Sequence, residues 1–182
     1  MRILHITDRV SRRGGADHYL HSIIEQQRDQ HVVFMAAGRC DEGIKPSCSL
    51  QLIENLDSPN SAPVALENLL ADCAPDIIHV HNLMNPIAFQ QLPSSKTLVT
   101  IQDHRVFCPG QGKWTLQEQQ CTRPMNESIC ADCFTSNDYF SAIMETTHDR
   151  LAAIARFRIS VLSRYMKSEL MAVGIKNEQI HV

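Results

Sequence analysis

The chain has 182 residues, 43% of them hydrophobic and 20% charged, with a formal net charge of -3. That mildly acidic, mixed surface lacks the concentrated basic field of a sequence-independent nucleic-acid binder, and no apolar run approaches the roughly 20 residues that cross a bilayer. A chain of this length can bury one substantial core, so a single domain over 1–182 is expected. The opening "MRILHITDRV" reaches His5 and Asp8 too early for the apolar core of a secretory signal, so a reducing cytoplasm is the expected compartment.

"RILHIT" (Arg2–Thr7) is a β-branched run that reads as a strand. After "DRVSRRGG", Ala16, Tyr19, Leu20, Ile23 and Ile24 recur at helical spacing, which predicts a helix from Gly15 to about Arg28. "HVVFMAAG" is a second strand closed by Gly38, and "SLQLIE" a weaker third. Ser61 is placed to cap a helix with Pro63 in its first turn and Ala62, Leu66, Leu69, Leu70 and Cys73 along one face. "PDIIHVH" (Pro75–His81) and "KTLVTIQD" (Lys96–Asp103) read as buried strands. Farther on, Phe140, Ile143, Met144, Thr147, Leu151 and Ile154 mark a long helix, and "RISVLS" marks a strand. Ser163 then caps a helix carrying Met166, Leu170 and Val173 that stops at Gly174, and "IHV" starts a last strand.

Strands alternating with helices, the strands apolar on both faces, imply an α/β, Rossmann-like parallel sheet covered by helices on both faces. Ligands on such sheets bind beyond the carboxyl ends of the strands. The rhythm breaks only between Phe107 and about Asn137, which reads as a cysteine-rich insertion.

Three segments lie where a sheet of this kind puts chemistry. Gly14 and Gly15 follow a strand and open a helix, where free backbone N–H groups and the positive helix end favour an anion, although the spacing is not the dinucleotide fingerprint G-x-G-x-x-G. A flexible turn before a helix is the plain alternative. In "PDIIHVHN", His79 and His81 share one face of a strand. A metal pair there lacks an evident third ligand nearby, so a hydrogen-bonding role at the ligand edge or within the core is expected instead. Asp103 and His104 sit just past a strand end, as a carboxylate and imidazole suited to acid–base work, or as a turn cap and an exposed ring.

In this order, "MRILHIT" with "GGADHYL", "PDIIHVHN", "LVTIQDH" with "FCP", the cysteine cluster and "ISVLSRYMKSELMAVGIKNEQIHV" resemble the N-terminal half of a GT-B glycosyltransferase of retaining family 4. The resemblance covers nearly the whole chain. It implies an enzyme that moves a sugar from a nucleotide-sugar donor to a glycan, lipid-linked or small-molecule acceptor, in a cleft between two Rossmann-like domains. A lipid-linked acceptor would bring peripheral contact with a membrane. The resemblance assigns Gly14 and Gly15 to the donor side, Gln102, Asp103 and His104 to the catalytic rim, and His79, His81 and Asn82 to the acceptor surface. It also implies a C-terminal donor-binding domain beyond Val182, without which the chain is expected to lack turnover. One residue departs from the pattern: Gln102 stands where the family carries a histidine that contacts the donor sugar, and an amide neither carries charge nor shuttles a proton. The alternatives are a non-enzymatic, metal-stabilised interaction module and one subunit of a split glycosyltransferase.

Cys108, Cys121, Cys130 and Cys133 fall as C-x12-C-x8-C-x2-C, which suits a closed, structural zinc site. Few apolar residues accompany them, so a metal would supply what burial cannot. An iron–sulfur cluster uses the same ligands, disulfides belong to an oxidising compartment, and unligated thiols are the remaining case.

Overall fold

β-Branched and apolar residues carry the first strand, β1, beyond the expected Thr7, to span Arg2–Val10 in a computed structural model that describes all residues from Met1 to Val182. Six further strands follow: β2 (Val32–Cys40), β3 (Ser49–Leu52), β4 (Ile77–Val80), β5 (Thr97–Ile101), β6 (Arg158–Val161) and β7 (Ile180–His181). They form one all-parallel sheet in the order β3-β2-β1-β4-β5-β6-β7. The interleaved helices are α1 (Gly15–Arg28), α2 (Leu66–Cys73), α3 (Pro86–Gln90), α4 (Glu127–Cys130), α5 (Asn137–Ile154) and α6 (Arg164–Ala172). The architecture is the Rossmann-like α/β class expected from the alternation of elements. No helix is long and apolar enough to cross a membrane.

The chain divides into two compact units, Met1–Thr100 and Ile101–Val182. In the first, β1 pairs with β2 on one side and β4 on the other, with His5 directly opposite His79. Leu20 and Ile24 of α1 close over Val10, Val33, Met35 and Ala37. Each buried Leu, Ile, Val or Met side chain among these stabilises the fold by about 1.5–3 kcal/mol relative to exposure. Gly38 does not end β2, which runs on to Cys40. Its missing side chain admits Asp57, since a Cβ there would lie 2.7 Å from the Asp57 Cβ.

Ser61 does not cap α2. That helix starts only at Leu66 behind Ala65, and Pro63 sits in the preceding turn, where its carbonyl accepts from Leu66 N. The Ser61 carbonyl instead accepts from Asn85 Nδ2 at 2.9 Å. Asn85 also caps α3, its Oδ1 accepting from Ile87 N at 2.9 Å and Ala88 N at 3.3 Å. This buried residue therefore holds together the loop that follows β4.

In the second unit α6 begins behind the serine cap expected for it, and α5 begins behind another serine, Ser136. Ser136 Oγ accepts from Tyr139 N at 3.3 Å, and Ser163 Oγ from Met166 N at 3.2 Å. Met144, Thr147, Arg150 and Ile154 form the buried stripe of α5. Gly174 adopts φ +100°, a left-handed conformation that stops the chain from continuing α6. The cysteine-rich segment contains only α4, a 3-10 turn at Ala131–Cys133 and one antiparallel bridge between Trp114 and Gln120.

Candidate functional site

The turn ahead of α1 is organised by Asp17. Its Oδ2 accepts from Ser11 Oγ at 2.6 Å, Arg13 N at 2.8 Å and Gly14 N at 3.2 Å. Partial burial pushes this carboxyl up, but those three hydrogen bonds and the nearby His21 outweigh it and hold Asp17 below its ordinary value. The chain's own carboxylate therefore takes the amides of Arg13 and Gly14, and a ligand anion is left the first-turn amides that precede the His18 N to Gly14 O bond. A Cβ on either Gly14 or Gly15 would meet nothing within 4 Å, and neither has a positive φ. Nothing in the fold requires glycine at these positions, and the missing side chains leave the approach open.

His79 and His81 are 5% and 1% exposed, so neither ring offers surface to an acceptor. They join His5 from β1, itself fully buried. Ring centroids lie 4.1 Å apart for His79–His81, 5.2 Å for His5–His81 and 5.4 Å for His5–His79. His5 Nε2 lies 2.8 Å from Gln27 Oε1, which accepts its proton. His5 Nδ1 is then an acceptor, facing His81 Nε2 at 2.9 Å, and His79 Nε2 bonds Thr100 Oγ1 at 2.7 Å. That tautomer chain ends at His81 Nδ1, which is buried and has no hydrogen-bond partner.

Burial lowers the His5 pKa to about 4 against a small rise from Gln27, and burial with the neighbouring His5 lowers that of His79 to about 3. His81 is also pushed well down, by burial and then by the other two rings. All three are neutral at pH 7. Their potential ligand atoms all lie within 4.8 Å of one another, so the set can hold a metal ion. The third ligand missing from the sequence reading is His5. Only the placement of β1 beside β4 reveals it. Asn82, half-buried, stays at the strand end, where its carbonyl accepts from Asp8 N at 3.0 Å.

Past β5, Asp103 and His104 are not paired with each other. Asp103 Oδ1 accepts from Arg105 N at 3.0 Å, and Oδ2 accepts from Arg105 Nε at 2.9 Å. Burial would raise this carboxyl, yet the Arg105 hydrogen bonds and the charges of Arg105 and Arg150 hold it low. An ionised carboxylate clamped this way is a poor proton acceptor. His104 is half-buried, its Nε2 donating to Gly110 O at 3.0 Å. Gly112, at φ +68°, makes room for the ring, because a Cβ there would lie 3.1 Å from His104 Nδ1. Both polar atoms of the Gln102 amide are buried without a partner.

Cys108, Cys121, Cys130 and Cys133 line one cavity of about 80 Å³, together with Lys113 and Trp114. All seven cysteines are free thiols. Lys113 N donates to Cys108 Sγ at 3.4 Å. Burial raises the Cys130 and Cys133 thiols, and the other cysteines of the set add to the rise. A cation at their centre would reverse that mutual repulsion. Lys113, absent from the sequence reading, is 4% exposed, and its Nζ lies 2.9 Å from Glu169 Oε2 on α6.

Among solved structures, HepE from Anabaena, determined in complex with UDP-glucose, matches 100% of this chain and 43% of its own, with a TM-score of 0.60 at 15% identity. WaaG, a glycosyltransferase involved in lipopolysaccharide biosynthesis, matches 98% of this chain and 44% of its own, with a TM-score of 0.58 at 9% identity. At these identities the likeness is one of fold, and the chain spans less than half the length of either protein. No protein-family model matches the sequence, and no curated protein does. The chain thus shares a Rossmann-like α/β fold with somewhat under half of each of these two proteins.

Proposed function

We propose that the chain is the acceptor-side half of a glycosyltransferase that moves a sugar from a nucleotide-sugar donor to an acceptor, with a second domain supplying most of the donor site. The observation that carries this is the match along the full chain to somewhat under half of two larger proteins, one solved with UDP-glucose and the other a glycosyltransferase. In this reading Gly14 and Gly15 face the donor, and their open space is what a bulky phosphate or sugar needs. Gln102 uses its unpartnered amide to donate to one hydroxyl of the donor sugar and accept from another. Asp103 acts through Arg105, fixing its guanidinium, and takes no proton itself. Asn82 stands at the acceptor rim, and the buried His79 and His81 precede it in the chain.

The four cysteines hold a structural zinc ion that ties the insertion together. What supports this is the donor chemistry: four thiols line one cavity, one of them already accepting a backbone N–H. Because the Gly110 carbonyl and Gly112 hold the His104 ring, the same staple fixes that imidazole.

The test is an amide-exchange footprint of the protein carrying its donor domain, with and without a nucleotide sugar. Protection is expected at Ser11–Ala16 and Ile101–His104. A saturating donor that leaves both segments unprotected would refute the assignment.

A further inference from the structure

We infer that His5, His79 and His81 form a closed three-nitrogen site for one d10 transition-metal ion, zinc or copper(I), that ties β1 to β4 beneath α1. The inference is independent of the glycosyltransferase reading and of the cysteine cavity. It starts from geometry, since the three rings present ligand atoms within 4.8 Å of one another at positions 0–5% exposed. Imidazole is the ligand that suits zinc and copper, and it ligates in its neutral form.

Two of the three rings have the outer contacts of a built site. A ligating histidine usually has its other ring nitrogen fixed by a hydrogen bond, which sets the tautomer and orients the ring. Gln27 Oε1 does this for His5 Nε2, turning the Nδ1 lone pair inward, and Thr100 Oγ1 holds His79 Nε2. His81 Nδ1 has no hydrogen-bond partner, so this ring is free to carry its proton on either nitrogen and can turn the Nε2 lone pair toward an ion. The ion takes the place of the proton shared between His5 Nδ1 and His81 Nε2, and that proton moves to His81 Nδ1. No proton is gained or lost.

Charge narrows the choice of ion. The groups around these imidazoles are Gln27, Thr100, Tyr19 and the neighbouring rings, with no carboxylate among those that shift them. An ion here keeps its full charge, and burying charge without a counter-ion is costly. Copper(I), singly charged and satisfied by three ligands, fits better than zinc, which seeks a fourth. Rings this buried touch no substrate, so the site is structural and is filled as the chain folds.

The experiment refolds protein labelled with 15N at histidine in the presence of zinc alone, or of copper(I) alone without oxygen. Histidine ring-nitrogen resonances are then recorded by NMR. His5, His79 and His81 are expected to move to the values of metal-bound nitrogens with at least one ion, while His18 and His148 stay unchanged. Bound metal should fall by one equivalent per chain in His81→Phe and should persist at the histidines in Cys130→Ser/Cys133→Ser. If the three rings keep their metal-free resonances in folded protein with both ions, the inference is overturned. Should His81→Phe fail to fold, the wild-type ring resonances decide alone.

Discussion

Replacing Glu169 with glutamine tests how the cysteine-rich segment is anchored. The Lys113 and Glu169 side chains are 5% and 16% exposed and meet at 2.9 Å, so the pair is almost fully withdrawn from water. Lys113 Nζ also donates to Arg123 O, and its backbone N–H donates to Cys108 Sγ. Glu169→Gln leaves the lysine buried with one carbonyl and a neutral amide. Removing one member of a buried pair typically costs 3–5 kcal/mol. The partial exposure of Glu169 puts the expected loss near the low end, about 3 kcal/mol, or a fall of roughly 6–12 °C in Tm for a chain of this size. Urea and thermal unfolding of Glu169→Gln, Lys113→Met and Lys113→Met/Glu169→Leu would measure it. The double variant should recover most of the loss, because an apolar pair of similar volume leaves no buried charge unmatched. A single-variant loss under about 0.5 kcal/mol, the size of an ordinary surface change, would refute the reasoning, as would strictly additive effects.

Other substitutions separate the remaining assignments. Gly112→Ala places a Cβ against His104 at φ +68°, and should cost about 1–2 kcal/mol by denaturant unfolding while displacing the His104 ring resonances. Gly15→Val meets open space, so it should leave unfolding within about 1 kcal/mol of wild type yet raise the donor KM of the two-domain protein. Cys130→Ser, or chelation, should release about one zinc per chain and expose the insertion to protease while the far-ultraviolet spectrum of the sheet persists. Asp103 has a depressed pKa in the folded state, so it contributes stability above the ordinary carboxylate range near pH 4 and loses it as pH falls through the depressed value. Asp103→Asn should flatten that acid limb in pH-dependent unfolding.

Local patterns carried much of the fold. The 3.6-residue recurrence of Leu20 and Ile24, the serine cap at 163 and the stop at Gly174 are all contained in short windows, and the elements they announce are present. The serine at 61 failed because a second requirement overrode it: the buried Asn85 amide needs the Ser61 carbonyl, and Pro63 belongs to the turn before α2. α3 escaped notice because five residues show no periodicity, although Asn85-Pro86 is itself a helix-start pair.

The candidate site was legible only where it is local. The four clustered cysteines do line one cavity. The joining of His5 to His79 depends on strand order and register, and the pairing of Lys113 with Glu169 on tertiary packing, and neither leaves a mark in nearby sequence. The burial of His79 and His81 moved them from the expected acceptor surface into the interior.

Sugar transfer by the protein joined to its donor domain, followed as nucleotide release from a panel of activated sugars, bears most directly on the account. The expected result is release from at least one nucleotide sugar that depends on an added acceptor, is weakened by Gln102→Ala and is absent for residues 1–182 alone. Transfer by residues 1–182 unaided, or no release by the two-domain protein with any donor, would contradict it.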